Sequence, residues 1–211
     1  IHLLLALPMN ALLPTARSKS VPSVSDISED AEPPRLALFL LSFVFAATWF
    51  NSTAMAAHLP GLLEASGASV AVAIAAGALI GPAQVAARVL EFGFLRRFNP
   101  LSSARLAASA HPVAAVCLVT FGGPVAYLFA VMHGAGNGIL TIAKGTLPLA
   151  LFGTAGYGAR LGWLNAPARI LQAGAPLLFG AALANWGLQA IWLTAGIGAL
   201  AMVALFLLRR A

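Results

Sequence analysis

Apolar residues fill this chain in long runs, and polar residues fall mostly between the runs. Residues 15–35, TARSKSVPSVSDISEDAEPPR, form the only long polar segment. One apolar stretch, residues 1–14, precedes it. Six follow, at 36–59, 69–94, about 104–121, 124–143, about 156–184 and 188–208. At 1.5 Å of rise per residue, about 20 residues cross the hydrocarbon of a bilayer. The six later stretches meet that length and the 14-residue one does not. None alternates with period 2 as an outer-membrane strand does, so the pattern predicts helices. Residues 1–14 have no basic flank ahead of them and no small-x-small cleavage site behind, so they lack the marks of a signal peptide. They read as the end of a truncated transmembrane helix, which makes the chain a fragment. Residues 15–35, with Asp26, Glu29, Asp30 and Glu32, read as a solvated cytoplasmic linker. Residues 36–211 read as a six-helix transmembrane bundle.

Composition agrees with a bilayer as the principal partner. Of 211 residues, 60% are hydrophobic and 9% charged; a soluble domain carries about 25% charged residues. The formal charge of +6 is spread singly, with no basic helix face and interleaved aromatics, so no nucleic acid is expected. Cys117 is the only cysteine, which excludes an internal disulfide.

The basic residues orient the bundle. With the linker cytoplasmic, the loops on its side hold Arg17, Lys19, Arg35, Arg96, Arg97, Arg105, Lys144, Arg160, Arg209 and Arg210. The opposite loops, about 60–68, 122–123 and 185–187, hold no Lys or Arg, only Glu64. This split follows the positive-inside rule and implies a multi-pass protein of the plasma membrane, or the inner membrane if bacterial, with a cytoplasmic C-terminus. Trp186 and Trp192 fall where interfacial aromatics belong. Arg88 and Arg169 are the two exceptions, inside apolar stretches, where a cation is costly and marks a functional site.

Polar residues are shared unevenly among the six stretches. The first has Thr48, Asn51, Ser52 and His58, the second Gln84, Arg88 and Glu91; the third is apolar apart from His111, Cys117 and small hydroxyls. The fourth has His133, Asn137, Thr141 and then Lys144, the fifth Asn165, Arg169 and Gln172; the sixth has only Gln189 and Thr194 near its mouth. Polar, polar, apolar thus occurs twice. Three spans return the chain to the other side, so the two triplets are expected to be inverted repeats, as in secondary transporters. Pro82 and Pro176 are expected to break the second helix of each triplet, with Arg88 and Arg169 on the cytoplasmic side of their prolines.

Several residues are candidates for a solute path. Asn165, Arg169 and Gln172 fall at i, i+4 and i+7 on one helix face. They suit an anion or carboxylate, or a structural pair with a carboxylate elsewhere. His133, Asn137, Thr141 and Lys144 form a second face, on which His133 is a candidate carrier of a coupling H+ or a packing histidine. Asn51 lies on a similar face of the first helix, where the Asn51-Ser52-Thr53 glycosylation pattern has no meaning. Gly77/Gly81, Gly134/Gly138 and Gly158/Gly162 are small-xxx-small pairs that permit close helix contact. The run GAGNGILTIAKGT lacks G-K-[ST] and a preceding strand, so it is not a phosphate loop. No catalytic constellation, cofactor motif or metal-ligand spacing appears, so no enzyme is expected.

Residues 88–105, RVLEFGFLRRFNPLSSAR, and the fifth stretch, GYGARLGWLNAPARILQAGAPLLFG, resemble the C-terminal half of a major facilitator superfamily transporter. The first segment is similar to the family motif G-x-L-A-D-R-x-G-R-R, with Glu91 near the acid and Arg96 and Arg97 at the trailing basic pair. Its spacing departs from the motif. The resemblance covers the whole chain. It implies a carrier of a small solute that works by alternating access, with a missing six-helix N-terminal half as the other wall of the path. It also implies that Arg88, Glu91, Arg96 and Arg97 gate access, Arg88 and Glu91 as an intrahelical pair or a latch. A six-helix channel, or a non-transporting subunit of a membrane complex, is the alternative.

Overall fold

The computed structural model describes residues 34–94 and 99–208. Residues 1–14, most of the linker, Arg96, Arg97, Arg209 and Arg210 lie outside the described residues. Every regular element among the described residues is helical. In order these are α1 (Arg35–Ala65), α2 (Val70–Gly93), α3 (Pro100–Phe121), a 3₁₀ turn, α4 (Ala126–Phe152), α5 (Tyr157–Trp186), a second 3₁₀ turn and α6 (Ile191–Leu207). Five helical stretches are long and apolar enough to cross a membrane, as expected of an integral membrane protein. The last of them runs from Tyr157 to Leu207 through the second 3₁₀ turn. Gly187, at φ +53°, ends α5 within that stretch, a conformation that costs glycine nothing.

Local chemistry fixes the helix ends. Ser69 caps α2 by accepting from the Val72 N–H at 3.3 Å. Asn99 caps α3 by accepting from the Leu101 N–H at 3.1 Å, with Pro100 at the first helical position. Two basic residues expected in loops close helix C-termini, where carbonyls lack partners and the dipole is negative. Arg105 donates from Nε to Leu205 O (3.0 Å) and from Nη2 to Leu208 O (2.9 Å), closing α6. Arg160 donates from Nη1 to Phe152 O (3.0 Å), closing α4.

Three expectations change. First, α4 does not stop at residue 143: it continues to Phe152, and Lys144 is buried in it at 8% exposure. Reading that charge as a loop residue was wrong, because Leu147, Leu149, Leu151 and Phe152 carry the apolar pattern onward. Second, Pro82 and Pro176 do not end their helices; α2 and α5 run through both, as α1 runs through Pro60 to Ala65. Third, only one of the three glycine pairs lies in a tight contact. A Cβ on Gly134 would stand 2.8 Å from Ile80 O and one on Gly138 2.6 Å from Gln84 O, both backbone atoms of α2. Between them, a Cβ on Gly136 would stand 2.7 Å from Ala107 O of α3. The GAGNG run therefore seats α4 against two neighbours at once. Gly77, Gly81, Gly158 and Gly162 have nothing within 4 Å of such a Cβ.

Helix α1 packs mainly on α5 and α6, α4 packs mainly on α2 and α3, and α3 packs on α6. Apolar packing falls into two clusters along the bundle. One holds Phe50, Met55, Leu59, Leu118, Phe129, Phe179 and Ile191. The other holds Leu41, Phe45, Leu101, Leu147, Leu164 and Leu205. Between the clusters, in chain order, lie Thr48 and Asn51 of α1, His111 of α3, His133 and Asn137 of α4, Arg169 and Gln172 of α5 and Gly198 of α6. A polar layer thus divides the apolar core at mid-helix.

Candidate functional site

The polar layer and the edge of the cluster beside it hold two distinct constellations. The first is a cavity of about 30 Å³ between α1, α3, α4 and α6, lined by Thr48, Asn51, Ser52, His111, His133, Asn137 and Gly198 among others. That volume has room for one or two water molecules. It brings together three of the six expected path residues. Asn51 Nδ2 donates to Thr194 O across to α6 at 3.0 Å, and Asn137 Nδ2 donates to Ser52 Oγ across to α1 at 3.0 Å. The Asn51 contact depends on Gly198, where a Cβ would stand 3.3 Å from Asn51 Nδ2. Asn51 therefore faces α6 and the cavity rather than the arginine of α5.

His111 Nδ1 and His133 Nδ1 are 3.0 Å apart. Only one of two such nitrogens carries the shared proton, so the neutral rings are opposite tautomers. One added proton, taken at the free Nε2 of the donor ring, leaves the bond intact. A second would set N–H against N–H. The geometry of the pair thus admits no more than one added proton without breaking the bond. Phe129 stacks on His133, with centroids 6.2 Å apart and planes at 5°, and holds the ring in place. His111 Nε2 and Asn51 Oδ1, two residues lining the cavity, are buried without a hydrogen-bond partner.

The second constellation is cationic and lies between α1, α4 and α5. Lys144 Nζ stands 3.6 Å from the centroid of the Trp49 ring, and Arg169 Cζ stands 4.6 Å from the same centroid. Arg169 Nη1 donates to Gln172 Oε1 at 2.9 Å, which joins two of the three residues expected to share a face. Asn165 does not join them: its Nδ2 donates to Leu161 O of its own helix. By the sum of the two centroid distances, the charges are at most about 8 Å apart. Their repulsion at that separation is roughly 2 kcal/mol at an effective dielectric of 20. Cation–π attraction of about 0.5–2 kcal/mol per contact offsets part of it. Glu64 and Glu91 are the only acids among the described residues, and neither forms an ion pair with these cations. Glu64 lies at the far end of α1 and Glu91 in α2.

Helix α1 serves both constellations because Trp49 and Asn51, two residues apart, point about 200° apart around it. Trp49 was missed in the sequence because it reads as one more apolar residue of its stretch. His111 sat in the third stretch, read as apolar; its isolation in that run was the available signal. The gate corrects differently. Arg88 Nη2 donates to Gln84 Oε1 at 3.4 Å, while its Nε and Glu91 Oε2 are buried without hydrogen-bond partners, so the expected Arg88–Glu91 pair is not formed. The guanidinium instead bonds back to i−4 on its own helix.

No protein-family model matches the chain, and no curated protein matches it.

Proposed function

We propose that this chain is the C-terminal half of a secondary carrier of the major facilitator type, moving a small solute across the membrane by alternating access. The observation that carries this is the polar layer that divides the apolar core at mid-depth. Polar and charged groups in hydrocarbon are costly, and a bundle with a purely architectural role gains nothing from collecting them in the middle of its helices. In carriers built from repeats, solute and coupling-ion sites lie near mid-depth where the repeats meet.

The proposed repeats are α1–α3 and α4–α6. Their packing supports the assignment. Exchanging α1 with α4, α2 with α5 and α3 with α6 converts the α1–α5 contact into α4–α2 and the α1–α6 contact into α4–α3, and leaves α3–α6 in place. Three spans per unit invert the second unit relative to the first. The charge distribution supports a cytoplasmic C-terminus and suits the plasma membrane, or a bacterial inner membrane. Lys144, Arg169, Gln172 and Trp49 would take the solute, and the His111–His133 pair the coupling proton. A further six-helix half would form the opposite wall.

Reconstitution of the full-length protein into liposomes with an internal pH dye tests this. Saturable, solute-driven proton movement and trans-stimulated counterflow are expected, and Arg169→Ala is expected to abolish both while expression and folding persist. Non-saturating conductance, or normal transport by Arg169→Ala, overturns the proposal.

A further inference from the structure

We infer that Trp49, Lys144 and Arg169 form a binding site for the carboxylate of a small organic anion. This rests on the carrier reading for its physiological meaning, though not for its chemistry. Three observations from different helices converge on it.

The first is the donor set. Among the described residues, the Lys144 ammonium contacts the indole and makes no hydrogen bond. Arg169 uses one of its five N–H groups, on Gln172 Oε1, and Trp49 Nε1 is buried with no hydrogen-bond partner. With Gln172 Oε1 already occupied, the side-chain groups left without a hydrogen-bond partner are all donors. Such a set complements oxygen acceptors and repels cations. The planar fork of an arginine matches the two oxygens of a carboxylate, and a lysine adds a point charge beside it.

The second is the charge. Two cations at most about 8 Å apart, with no carboxylate among the described residues beside them, leave an excess of positive charge in the apolar part of the bundle. An anion beside them offsets the mutual repulsion. A neutral solute does not.

The third is depth. Trp49 is 14 residues into α1 and Arg169 12 residues into α5, while Lys144 is 8 residues from the end of α4. At 1.5 Å per residue these positions are about 21, 18 and 12 Å from the nearer helix ends. That depth favours a solute over a headgroup, and the choice of lipid in the test separates the two.

The full-length protein in nanodiscs of zwitterionic lipid alone provides the test, which removes anionic headgroups as a source of the effect. Its thermal stability is titrated with acetate, succinate and benzoate and, in parallel, with acetamide, succinamide and benzamide. A ligand that binds only the folded state raises the melting temperature with concentration. At least one carboxylate is expected to stabilise saturably, and its amide is not. Apparent affinity should fall at least tenfold in Lys144→Gln and in Arg169→Gln, a few-fold in Trp49→Phe, and remain unchanged in Arg35→Gln, at the exposed start of α1. If either glutamine variant fails to fold, Arg169→Lys and Trp49→Phe still report, because both keep two cations. Equal effects of carboxylates and amides, no effect of any carboxylate, or a carboxylate effect that survives Lys144→Gln overturns the inference. Stabilisation by added anionic lipid, with none by any carboxylate, also overturns it and assigns the site to a headgroup. The carrier proposal fails separately. Carboxylate binding with non-saturating conductance removes the carrier and keeps the site, while saturable counterflow of a neutral solute without carboxylate binding does the reverse.

Discussion

Replacing Gly138 with alanine isolates what holds α4 against α2. The added Cβ would stand 2.6 Å from Gln84 O, 3.0 Å from Gln84 Cα and 3.2 Å from Gln84 C. All three are backbone atoms, so no side chain can swing away. Restoring an ordinary C···O distance of about 3.3 Å requires the helices to part locally by roughly 0.7 Å. A gap of that size forfeits about a quarter to a half of the dispersion attraction of the atoms lining it. Overpacking of this kind costs about 1–3 kcal/mol. At about 2–4 °C per kcal/mol for a chain of this length, the melting temperature should fall by several degrees. The control lies in the partner helix. A Cβ on Gly81 meets nothing within 4 Å, although Gly77/Gly81 carries the same small-xxx-small spacing. Gly81→Ala should be neutral, or stabilising by up to about 1 kcal/mol through helix propensity. Fluorescence-detected size-exclusion chromatography of detergent-solubilised protein after heating measures both. If Gly138→Ala melts like the parent, or Gly81→Ala falls equally, close contact is not what α4 uses its glycines for.

Three further outcomes follow from the same geometry. His133→Leu should destabilise by about 1–3 kcal/mol because it strands His111 Nδ1, whereas His111→Leu/His133→Leu should cost less than the sum of the single changes; a double-mutant cycle by thermal melting checks this, and additivity refutes the pairing. Arg105→Ala should loosen the end of α6 at a cost of about 1–2 kcal/mol, since Leu205 O and Leu208 O lose a charged donor, and faster hydrogen exchange in the last turn of α6 is the readout. Gly180→Ala should push aside the His58 ring, 2.9 Å from the added Cβ, and break the bond from His58 Nε2 to Pro176 O. Its melting temperature should fall less than that of Gly138→Ala, because a side chain yields where backbone does not.

What the sequence announced and what it hid divide along a physical line. Apolar runs announced the helices, because crossing hydrocarbon demands about 20 apolar residues and little else meets that demand. Arg169 and His133 announced themselves because an ionisable group inside such a run is rare. Lys144 was hidden by the same rule: a charge after 20 apolar residues looks like the end of a span. Only the helix that continues beyond it and the ring of Trp49, 95 residues earlier in the chain, show that it is buried. Trp49 was hidden because an indole reads as apolar until a cation is found against it. Likewise, Gly77/Gly81 and Gly134/Gly138 are identical as spacing. Which pair carries a contact depends on the rotation of each helix about its axis, and that is set by neighbours distant in the chain.

The polar layer also constrains what any mechanism can be. Its two constellations share α1 but meet it on different faces, so a proton on the histidine pair and a charge on the cationic site do not touch directly. Coupling between them has to pass through displacement of α1 or α4. Helix α4 carries both His133 and Lys144, 11 residues or about 16 Å apart along its axis. It is also the helix whose glycines lock it to α2 and α3 over the segment between His133 and Thr141. A rigid α4 transmits a tilt at one end to the other, whereas a loosened one does not. Gly138→Ala therefore distinguishes two couplings. If proton and solute are linked through the body of α4, the variant should still bind carboxylate at Lys144 and Arg169 but lose solute-driven proton movement. If that movement survives with binding intact, the linkage runs through α1.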